Sequence, residues 1–571
     1  MYSSSHQRTP HYTGHRSIAT WLILITIVLY FLYSSNLLYD NNEPDCSIST
    51  TQHQQQQEQE QNLHIRSTSN ASSLSSTIKV QSLEEKEEPV IEEKEEPIIE
   101  EKEKIEDKKP KKDEDIDDED EDEKILGGDD EEQEEEEEGE KSPVVLRLTP
   151  QMMSQRTETE LKHIVFGIAA SSNLWETRKE YIKIWWRPKE TRGVVWLDQK
   201  VPTRRNEGLP EIRISGDTSK FKYTNRQGQR SALRISRIVT ETLKLGMEDV
   251  RWFVMGDDDT VFMVDNIVSV LNKYDHRHFY YVGSSSESHV QNIHFSYAMA
   301  YGGGGFAISY PLAKELAKMQ DRCIQRYPAL YGSDDRMQAC MAELGVPLTR
   351  EPGFHQYDVY GDLLGLLGAH PVTPLVSLHH LDVVQPIFPG MTRVRALQHL
   401  MKSVNQDSAS IIQQSICYDK NRYWSISVSW GYVVQILRGV HSPRELEMPS
   451  RTFLNWYKRA DYTAYAFNTR PVYRHPCQKP FIYYMSRTFY DSAKRQVVGV
   501  YSRDKYSKIP ACRWRMESPE KIYSIVVMKR RDPLRWKRSP RRDCCRVLKS
   551  RKGSTLYLWV GNYRDGEVTE L

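Results

Sequence analysis

The sequence Arg-Trp-Phe-Val-Met-Gly-Asp-Asp-Asp-Thr-Val-Phe occupies residues 251–262 and joins an apolar run to three consecutive aspartates. Its apolar run, Trp252–Met255, predicts a buried strand, because a parallel strand that is covered on both faces need not alternate polar and apolar residues. Gly256 ends this run and three aspartates follow. Side chains two residues apart on an extended segment point the same way, so we expect Asp257 and Asp259 to converge.

Three adjacent carboxylates repel one another unless a cation compensates their charge. In open α/β sheets, ligands bind beyond the carboxyl ends of strands, where Asp257, Asp258 and Asp259 would lie. Oxygen ligands of this kind suit Mn²⁺ or Mg²⁺, which commonly hold the phosphates of a substrate. The pattern therefore predicts a divalent-cation site, and a solvated acidic turn is the alternative.

The N-terminal part of the 571-residue chain has the features of a membrane anchor. Residues 18–39 contain about 20 mainly apolar residues without a charge, enough to cross a bilayer as a helix. Arg8 and Arg16 precede this segment and acidic residues follow it, so the positive-inside rule predicts that residues 1–17 are cytosolic and the remainder lumenal. The length of the segment favours an uncleaved signal anchor over a cleaved signal peptide.

Residues 40–150 have the composition of a disordered stalk. A Gln-rich and Ser-rich stretch leads into residues 84–140, which are dominated by Glu and Asp and are expected to stay extended through charge repulsion. Asn70 begins an N-glycosylation sequon, Asn-Ala-Ser. The C-terminal part is rich in Arg and Lys, but a lumenal location argues against nucleic acid as a partner.

Eight cysteines are present and none forms a Cys-x-x-Cys pair, so a zinc site is poorly supported. In a lumenal chain, structural disulfides are expected instead. Cys323 and Cys340 are close enough in sequence to form a local bridge. The connectivity of the others stays open.

Two folded regions of different type follow the stalk. Residues 151–415 alternate predicted strands with predicted helices, which indicates an α/β fold with a mainly parallel, doubly wound sheet. In residues 416–571 the segments are short, aromatic and β-branched, and turn signals separate them. That pattern predicts a β-rich C-terminal domain of antiparallel strands, with a sandwich as the expected form.

Two polar or glycine-rich features in the α/β region are further candidates for a site. The Gly302–Gly305 run removes side chains where the backbone passes close to a ligand or to a crossing strand. Asp334 and Asp335 open a predicted helix, where they either cap its N-terminus or supply a general base. Each feature thus has a structural and a functional interpretation.

Histidines follow two of the predicted strands. His355 comes after the strand at 346–349, and the pair His379-His380 comes after the strand at 374–378. Histidine in such positions is a candidate for metal binding or acid–base chemistry, although a lone histidine is more often hydrogen-bonded or solvated. Asp382 close by strengthens the case for the pair.

Several motifs, in this order, resemble the Fringe-type β-1,3-glycosyltransferases. They are Trp-Phe-Val-Met-Gly-Asp-Asp-Asp-Thr-Val-Phe at 252–262, Tyr-Gly-Gly-Gly-Gly-Phe at 301–306, Ser-Asp-Asp-Arg-Met at 333–337 and Leu-Gly-Val-Pro-Leu-Thr-Arg-Glu-Pro-Gly-Phe-His at 344–355. The resemblance covers about residues 160–415. It is closest to the plant branch of Fringe-like proteins, whose members carry a C-terminal extension like this one.

The resemblance implies a GT-A-type fold and an inverting transferase that moves a sugar from a UDP-sugar to an acceptor hydroxyl. The acceptor would be a glycan or glycoprotein, and Mn²⁺ (or Mg²⁺) would bind the diphosphate. The protein would be a single-pass type II protein of the Golgi membrane, with its catalytic domain in the lumen.

Residue roles also follow from the resemblance. Asp257 and Asp259 match the metal motif, and His355 matches the histidine that completes it. Asp335 matches the general base, with Asp334 beside it as the other candidate. The positions expected next to the nucleotide sugar are Arg178, Asp198, Asp258, Gly303 and Gly304.

Two other functions remain open at this point. A membrane-tethered lumenal protein could bind carbohydrate or protein without catalysis, but such a protein need not keep the carboxylates at both candidate positions. A metal-dependent hydrolase is disfavoured because no clustered set of histidine ligands is apparent in the sequence.

Overall fold

The computed structural model describes residues 158–568, except 205–206, 458, 508, 511, 514–515 and 550–552. The predicted cytosolic segment, signal anchor, stalk and glycosylation site at Asn70 lie outside the described residues. Within the described ranges, no helix is long and apolar enough to cross a membrane. By their contacts, all of the described residues belong to one unit.

The first described region is built on a mixed sheet with the strand order β3-β2-β1-β4-β7-β6-β8. Counting three short strands outside this sheet, the strands are β1 (Ile164–Ala169), β2 (Arg192–Leu197), β3 (Glu211–Ile214), β4 (Trp252–Asp257), β5 (Val261–Phe262), β6 (Tyr281–Gly283), β7 (Phe306–Ser309), β8 (Leu348–Arg350), β9 (Val359–Gly361) and β10 (Ser377–Leu378). The first four strands of the sheet pair in parallel, as do β6 and β8. Strand β7 runs antiparallel to both neighbours, so the sheet is mainly but not wholly parallel.

Helices lie between and after these strands. Their bounds are α1 (Trp175–Trp185), α2 (Ser231–Ser236), α3 (Ile238–Leu243), α4 (Val264–Leu271), α5 (His289–His294), α6 (Tyr310–Arg326), α7 (Ser333–Glu343), α8 (Leu364–Gly368) and α9 (Arg393–Gln406). Two separate apolar cores cover the sheet. Trp252 and Val254 of β4 belong to one core, and Phe253 and Met255 belong to the other. Because both faces of β4 are buried, the strand needs no polar alternation.

The second region is a closed β-barrel with the strand order β11-β12-β13-β15-β16-β17-β19-β18. Its strands, the short β14 and one helix are β11 (Gln414–Asp419), β12 (Trp424–Ser429), β13 (Val433–Arg438), α10 (Pro443–Leu446), β14 (Phe453–Asn455), β15 (Phe481–Asp491), β16 (Gln496–Arg503), β17 (Ser524–Lys529), β18 (Cys544–Leu548) and β19 (Thr555–Gly561).

The expectation of a sandwich is therefore wrong. The barrel closes where Ile416 of β11 pairs in parallel with Cys544 of β18. A register shift between Met485 and Arg487 marks a bulge in the long strand β15, and bulges increase strand twist and bending. Closure removes the exposed edges that an open sheet would present.

The two regions are packed together. The segment between β13 and β15 leaves the barrel, and its strand β14 pairs antiparallel with β9, with Asn455 opposite Val359. One apolar core contains both Val254 of the mixed sheet and Ile426 of the barrel. The C-terminal region is thus part of the same folded body as the α/β region.

Three disulfides occur among the described residues. Cys323–Cys340 joins α6 to α7, Cys417–Cys545 joins β11 to β18, and Cys477–Cys512 links two loops. The first is the local bridge that the sequence predicts. Cys544 is a buried free cysteine.

We expect the Cys323–Cys340 bond to stabilise the packing of α6 against α7. It closes a loop with a sequence separation of 17, and a loop of this size contributes about 3 kcal/mol through lost freedom of the unfolded chain. Cys323→Ala, Cys340→Ala and the double variant should lower the free energy of unfolding by similar amounts, because each breaks the same bond. Denaturant titration of the oxidised proteins measures this. Additive losses in the double variant would contradict the prediction.

Candidate functional site

Asp257, Asp259 and His379 form a cluster at the carboxyl end of β4. One potential ligand atom from each residue lies within 4.8 Å of the others. The Nε2 atom of His379 is 3.2 Å from Asp259 Oδ1 and 3.9 Å from Asp257 Oδ2. Two carboxylates and one imidazole form a donor set suited to a divalent cation such as Mn²⁺.

Strand pairing brings His379 to the aspartates. Strand β10 pairs antiparallel with β5, and Leu378 lies opposite Val261, so the residue after Leu378 reaches the loop that holds Asp259. A Cβ atom on Gly303 would lie only 2.1 Å from the His379 ring. Glycine is therefore required at position 303 for the imidazole to occupy this place.

Asp258 points away from the cluster. Its Oδ2 accepts a hydrogen bond from the Ser171 backbone N–H at 3.2 Å, and its Oδ1 accepts one from Arg178 Nη1 at 3.0 Å. The Arg178 guanidinium also lies 3.3 Å from Asp259 Oδ2 and donates from Nε to Asp382 Oδ2 at 3.2 Å. One cation on α1 thus compensates three carboxylates.

The environment of Asp259 fits a bound cation. Its side chain is 1% exposed, yet neither carboxylate oxygen accepts a hydrogen bond. Burial by itself would raise the pKa of Asp259, but His379 and Arg178 together outweigh burial and lower the pKa. Burial and the neighbouring His380 lower the pKa of His379, which favours the neutral imidazole that binds metals.

Burial raises the pKa values of the other two aspartates, and repulsion from neighbouring carboxylates adds to this effect. Desolvation, followed by repulsion from Asp259 and Asp334, raises the pKa of Asp257 to about 8. Burial also raises the pKa of Asp258 to about 6, with Arg178 opposing it. A cation bound between Asp257 and Asp259 would relieve this repulsion.

His355 is not part of the cluster, contrary to the sequence expectation. Its Nδ1 is 2.8 Å from Glu287 Oε1 and its Nε2 is 2.8 Å from His370 Nε2. Both ring nitrogens are therefore engaged, and His379 takes the place beside the aspartates. The resemblance led to His355 because the motif ends there, whereas the strand before His379 indicated the histidine that lies beside the aspartates.

Asp334 and Asp335 have different environments at the start of α7. Asp335 accepts hydrogen bonds from the backbone N–H groups of Tyr331 at 2.7 Å, Gly332 at 2.9 Å and Arg336 at 2.8 Å, so it caps the helix. Asp334 instead lines a small cavity together with Asp257 and Gly302. Burial raises the pKa of Asp334 to about 6.

The glycine run lies between the cluster and Asp334. A Cβ atom on Gly302 would be 2.6 Å from Asp334 Oδ1, and one on Gly304 would be 3.3 Å from the backbone of His355 and Gln356. The Gly303 carbonyl accepts a hydrogen bond from Thr260 Oγ1 at 2.7 Å. The run thus allows Asp334 and His379 to approach the same stretch of backbone from different sides.

Asp198 lies at the end of β2, next to the β1 loop. Its carboxylate accepts hydrogen bonds from the Ser172 backbone N–H at 2.7 Å and from the Ser172 hydroxyl at 3.1 Å. The preceding residue, Ser171, donates to Asp258. Asp198 and Asp258 are therefore held by consecutive residues of one loop.

His380, the residue after His379, is held by Asp358 and Trp456, and the sequence did not indicate these contacts. His380 follows His379 with a φ of 58°, which is uncommon for a residue other than glycine. Its Nδ1 lies 3.0 Å from Asp358 Oδ1, and its ring stacks on Trp456 with centroids 5.1 Å apart. Trp456 comes from the C-terminal segment beside β14. Only the pairing of β14 with β9 reveals this contact, and no local motif signals it.

Comparisons with known proteins agree with the motifs. Residues 159–363 match a family model described as "Fringe-like", and residues 291–545 match one described as "Protein of unknown function, DUF604". The chain is similar to a human protein named beta-1,3-glucosyltransferase, with 28% identity over 119 residues, 21% of this chain and 23% of that protein. It is also similar to the mouse protein of that name, with 29% identity over 154 residues, 26% of this chain and 29% of that protein.

These alignments span between a fifth and a third of the curated relatives. Among solved structures, a galactosyltransferase, LgtC, in complex with donor and acceptor sugar analogues aligns over 41% of this chain and 94% of its own, with 13% identity and a TM-score of 0.23. An overlap this slight says nothing further about the fold. The Fringe-like match covers the segment of the first region that carries the motifs.

We expect His379, and not His355, to determine affinity for Mn²⁺. His379→Gln should weaken Mn²⁺ binding by roughly 100-fold or more. Mutation of residues that only hydrogen-bond to metal ligands already lowers metal affinity by roughly 10- to 100-fold, and loss of a ligand should cost at least as much. The matched variant His355→Gln should leave Mn²⁺ binding unchanged. Calorimetric titration of both variants measures this, with circular dichroism as the control for folding. Equal losses in the two variants would contradict the assignment.

Proposed function

We propose that this chain, a member of the Fringe-like β-1,3-glycosyltransferase family through residues 159–363, is an inverting glycosyltransferase with a UDP-sugar donor. The acceptor is a hydroxyl of a glycan or glycoprotein. The observation that supports this most is the placement of Asp334 and the Asp257–Asp259–His379 cluster around the glycine run. A cation-binding set and a separate carboxylate are the two parts that such a reaction needs.

The cluster is assigned to the donor. Mn²⁺ or Mg²⁺ held by Asp257, Asp259 and His379 would bind the diphosphate and stabilise the negative charge that grows on the leaving nucleotide. Arg178 positions this set, since its guanidinium contacts Asp258, Asp259 and Asp382 and holds the aspartate loop against α1.

Asp334 is assigned as the general base. In the proposed reaction, it takes the proton from the acceptor hydroxyl while the oxygen of that hydroxyl bonds to the anomeric carbon. Attack from the face opposite the diphosphate inverts that carbon. A base whose pKa is raised to about 6 by burial is better matched to neutral pH than an ordinary carboxylate. The carboxylate of Asp335 accepts hydrogen bonds from three backbone N–H groups, and its role is to hold the start of α7 in place.

The location that we propose is the Golgi membrane, with a single-pass type II anchor at residues 18–39 and the described residues in the lumen. The charge asymmetry around that segment supports this orientation. The three disulfides among the described residues support an oxidising compartment, because such bonds are rare in the cytosol.

The full-length protein in detergent should hydrolyse one UDP-sugar in preference to others when Mn²⁺ is present. Activated donors are slowly hydrolysed when water replaces the acceptor, so a panel of UDP-sugars with UDP release as the readout tests the proposal. Removal of Mn²⁺ by EDTA, or Asp259→Asn, should abolish the release. If no UDP-sugar is consumed with Mn²⁺ or Mg²⁺, the transferase proposal fails and a non-catalytic binding protein becomes the better interpretation.

The two neighbouring aspartates should respond differently to the same substitution. Asp334→Asn should lower kcat by roughly 100- to 10,000-fold, the usual contribution of a positioned base, with donor affinity retained. Asp335→Asn keeps an acceptor oxygen for the helix cap, so we expect most of the turnover to remain and a stability loss of about 1 kcal/mol at most. Transfer kinetics and thermal unfolding of both variants decide this. The reverse pattern would assign the base to Asp335.

A further inference from the structure

A cavity of about 480 Å³ lies where the α/β region meets the C-terminal region. Its inner wall contains Ser284–Glu287, directly after β6, and Arg350, the last residue of β8. Strands β6 and β8 are parallel neighbours, so their carboxyl ends open at the same edge of the sheet, where ligands bind in folds of this kind. The volume falls within the range of roughly 300–1,000 Å³ that is typical of small-molecule sites.

The cavity is separate from the cation cluster. Among the described residues that line it, none is Asp257, Asp259, Asp334 or His379. Its opposite wall comes from the C-terminal region, which contributes Met448, Phe467, Asn468 and Arg542. Neither region alone would form this cavity.

A buried polar relay runs along the inner wall. His370 Nδ1 lies 2.8 Å from the Pro371 carbonyl, so this nitrogen carries the proton and His370 Nε2 accepts a hydrogen bond from His355 Nε2. His355 Nδ1 faces Glu287, whose other oxygen accepts from the Tyr357 backbone N–H at 2.7 Å. These contacts fix the orientation of both histidine rings and of the Glu287 carboxylate, and all three residues line the cavity.

Ser285 and Arg350 on the wall have side chains without a partner among the described residues. The Ser285 side chain is buried, at 3% exposure, and its hydroxyl makes no hydrogen bond. A buried hydroxyl without a partner costs free energy, which a ligand's polar group can recover. Arg350 is exposed at the rim, and no hydrogen bond or ion pair of its guanidinium is found among the described residues.

Apolar groups from both regions also line the cavity. Leu366 and Val372 belong to the α/β region, and Met448 and the half-buried Phe467 belong to the C-terminal region. A sugar ring has the matching chemistry, because its C–H faces pack on apolar and aromatic side chains while its hydroxyls bond to Ser, Asn, Glu and Arg groups around the edge.

We propose that this cavity is a second carbohydrate-binding site, which holds an oligosaccharide apart from the cation cluster. The inference that this oligosaccharide is a remote part of the acceptor glycan rests on the proposed function. Ser285 bonds one sugar hydroxyl inside the cavity, Phe467 packs on a ring face, and Asn468 and Arg350 bind at the rim. The site itself needs neither the donor nor the metal ion.

The test is oligosaccharide binding to the full-length protein in detergent, with EDTA present and no donor. A glycan array selects binders, and calorimetry then measures their dissociation constants. We expect Ser285→Ala to weaken binding by roughly two- to tenfold, the value of one hydrogen bond, and Asn468→Ala to weaken it as well. Ser285→Ala removes a hydroxyl that bonds to nothing, so this variant should unfold at the same temperature as the wild type or higher.

Matched variants separate this site from the catalytic one. Ser269→Ala removes a hydroxyl that does not line the cavity, and it should leave oligosaccharide binding unchanged. Asp259→Asn should also retain this binding, although it should abolish UDP release. Arg350→Ala should weaken oligosaccharide binding. Its control is Arg322→Ala, at an exposed arginine on α6, which should leave binding unchanged.

Two results would overturn the proposal. If no oligosaccharide binds to protein that still hydrolyses a UDP-sugar, the second site is refuted while the transferase proposal stands. If Asp259→Asn abolishes oligosaccharide binding and Ser285→Ala leaves it intact, the glycan is held at the cation cluster. Binding that depends on Ser285 without any UDP release would support the site and count against the transferase.

Discussion

The repulsion among three consecutive carboxylates is the constraint on which the rest of the structure depends. The negative charge is compensated from two sides, because alternate side chains of the loop point in opposite directions. Arg178 lies against Asp258 on one side and reaches Asp259, while His379 closes the other side. Helix α1 must bring the guanidinium and strand β10 must bring the imidazole. Burial, together with the remaining repulsion from Asp259 and Asp334, still raises the pKa of Asp257 to about 8, and a cation beside Asp257 would offset that repulsion.

Local sequence patterns predicted the features that depend on near neighbours. The apolar run of β4, the shared direction of Asp257 and Asp259, and the bridge between Cys323 and Cys340 all follow from residues close in the chain. The family resemblance located the same segment and was confirmed by the Fringe-like match to residues 159–363. These features required only strand geometry, charge and spacing.

The sequence left open the features that depend on pairing between distant strands, such as which of the candidate histidines reaches the aspartates. His379 reaches the cluster because β10 pairs with β5, although more than a hundred residues separate them in the chain. Closure of the barrel likewise depends on the contact between β11 and β18, and a list of short β segments cannot distinguish a barrel from a sandwich. For Asp334 and Asp335, the difference is one of helix geometry. Adjacent residues on a helix diverge by about 100°, so only one of them faces the cavity.

The stacking of Trp456 on His380 has a consequence for how this chain can change over time. A module attached by a flexible linker can be lost, exchanged or duplicated with little effect on its neighbour. Here the C-terminal region contributes a ring directly behind the cation cluster, a strand beside β9 and part of a shared apolar core. Loss of the C-terminal region would therefore remove the ring that stacks on His380 and expose part of the shared apolar core.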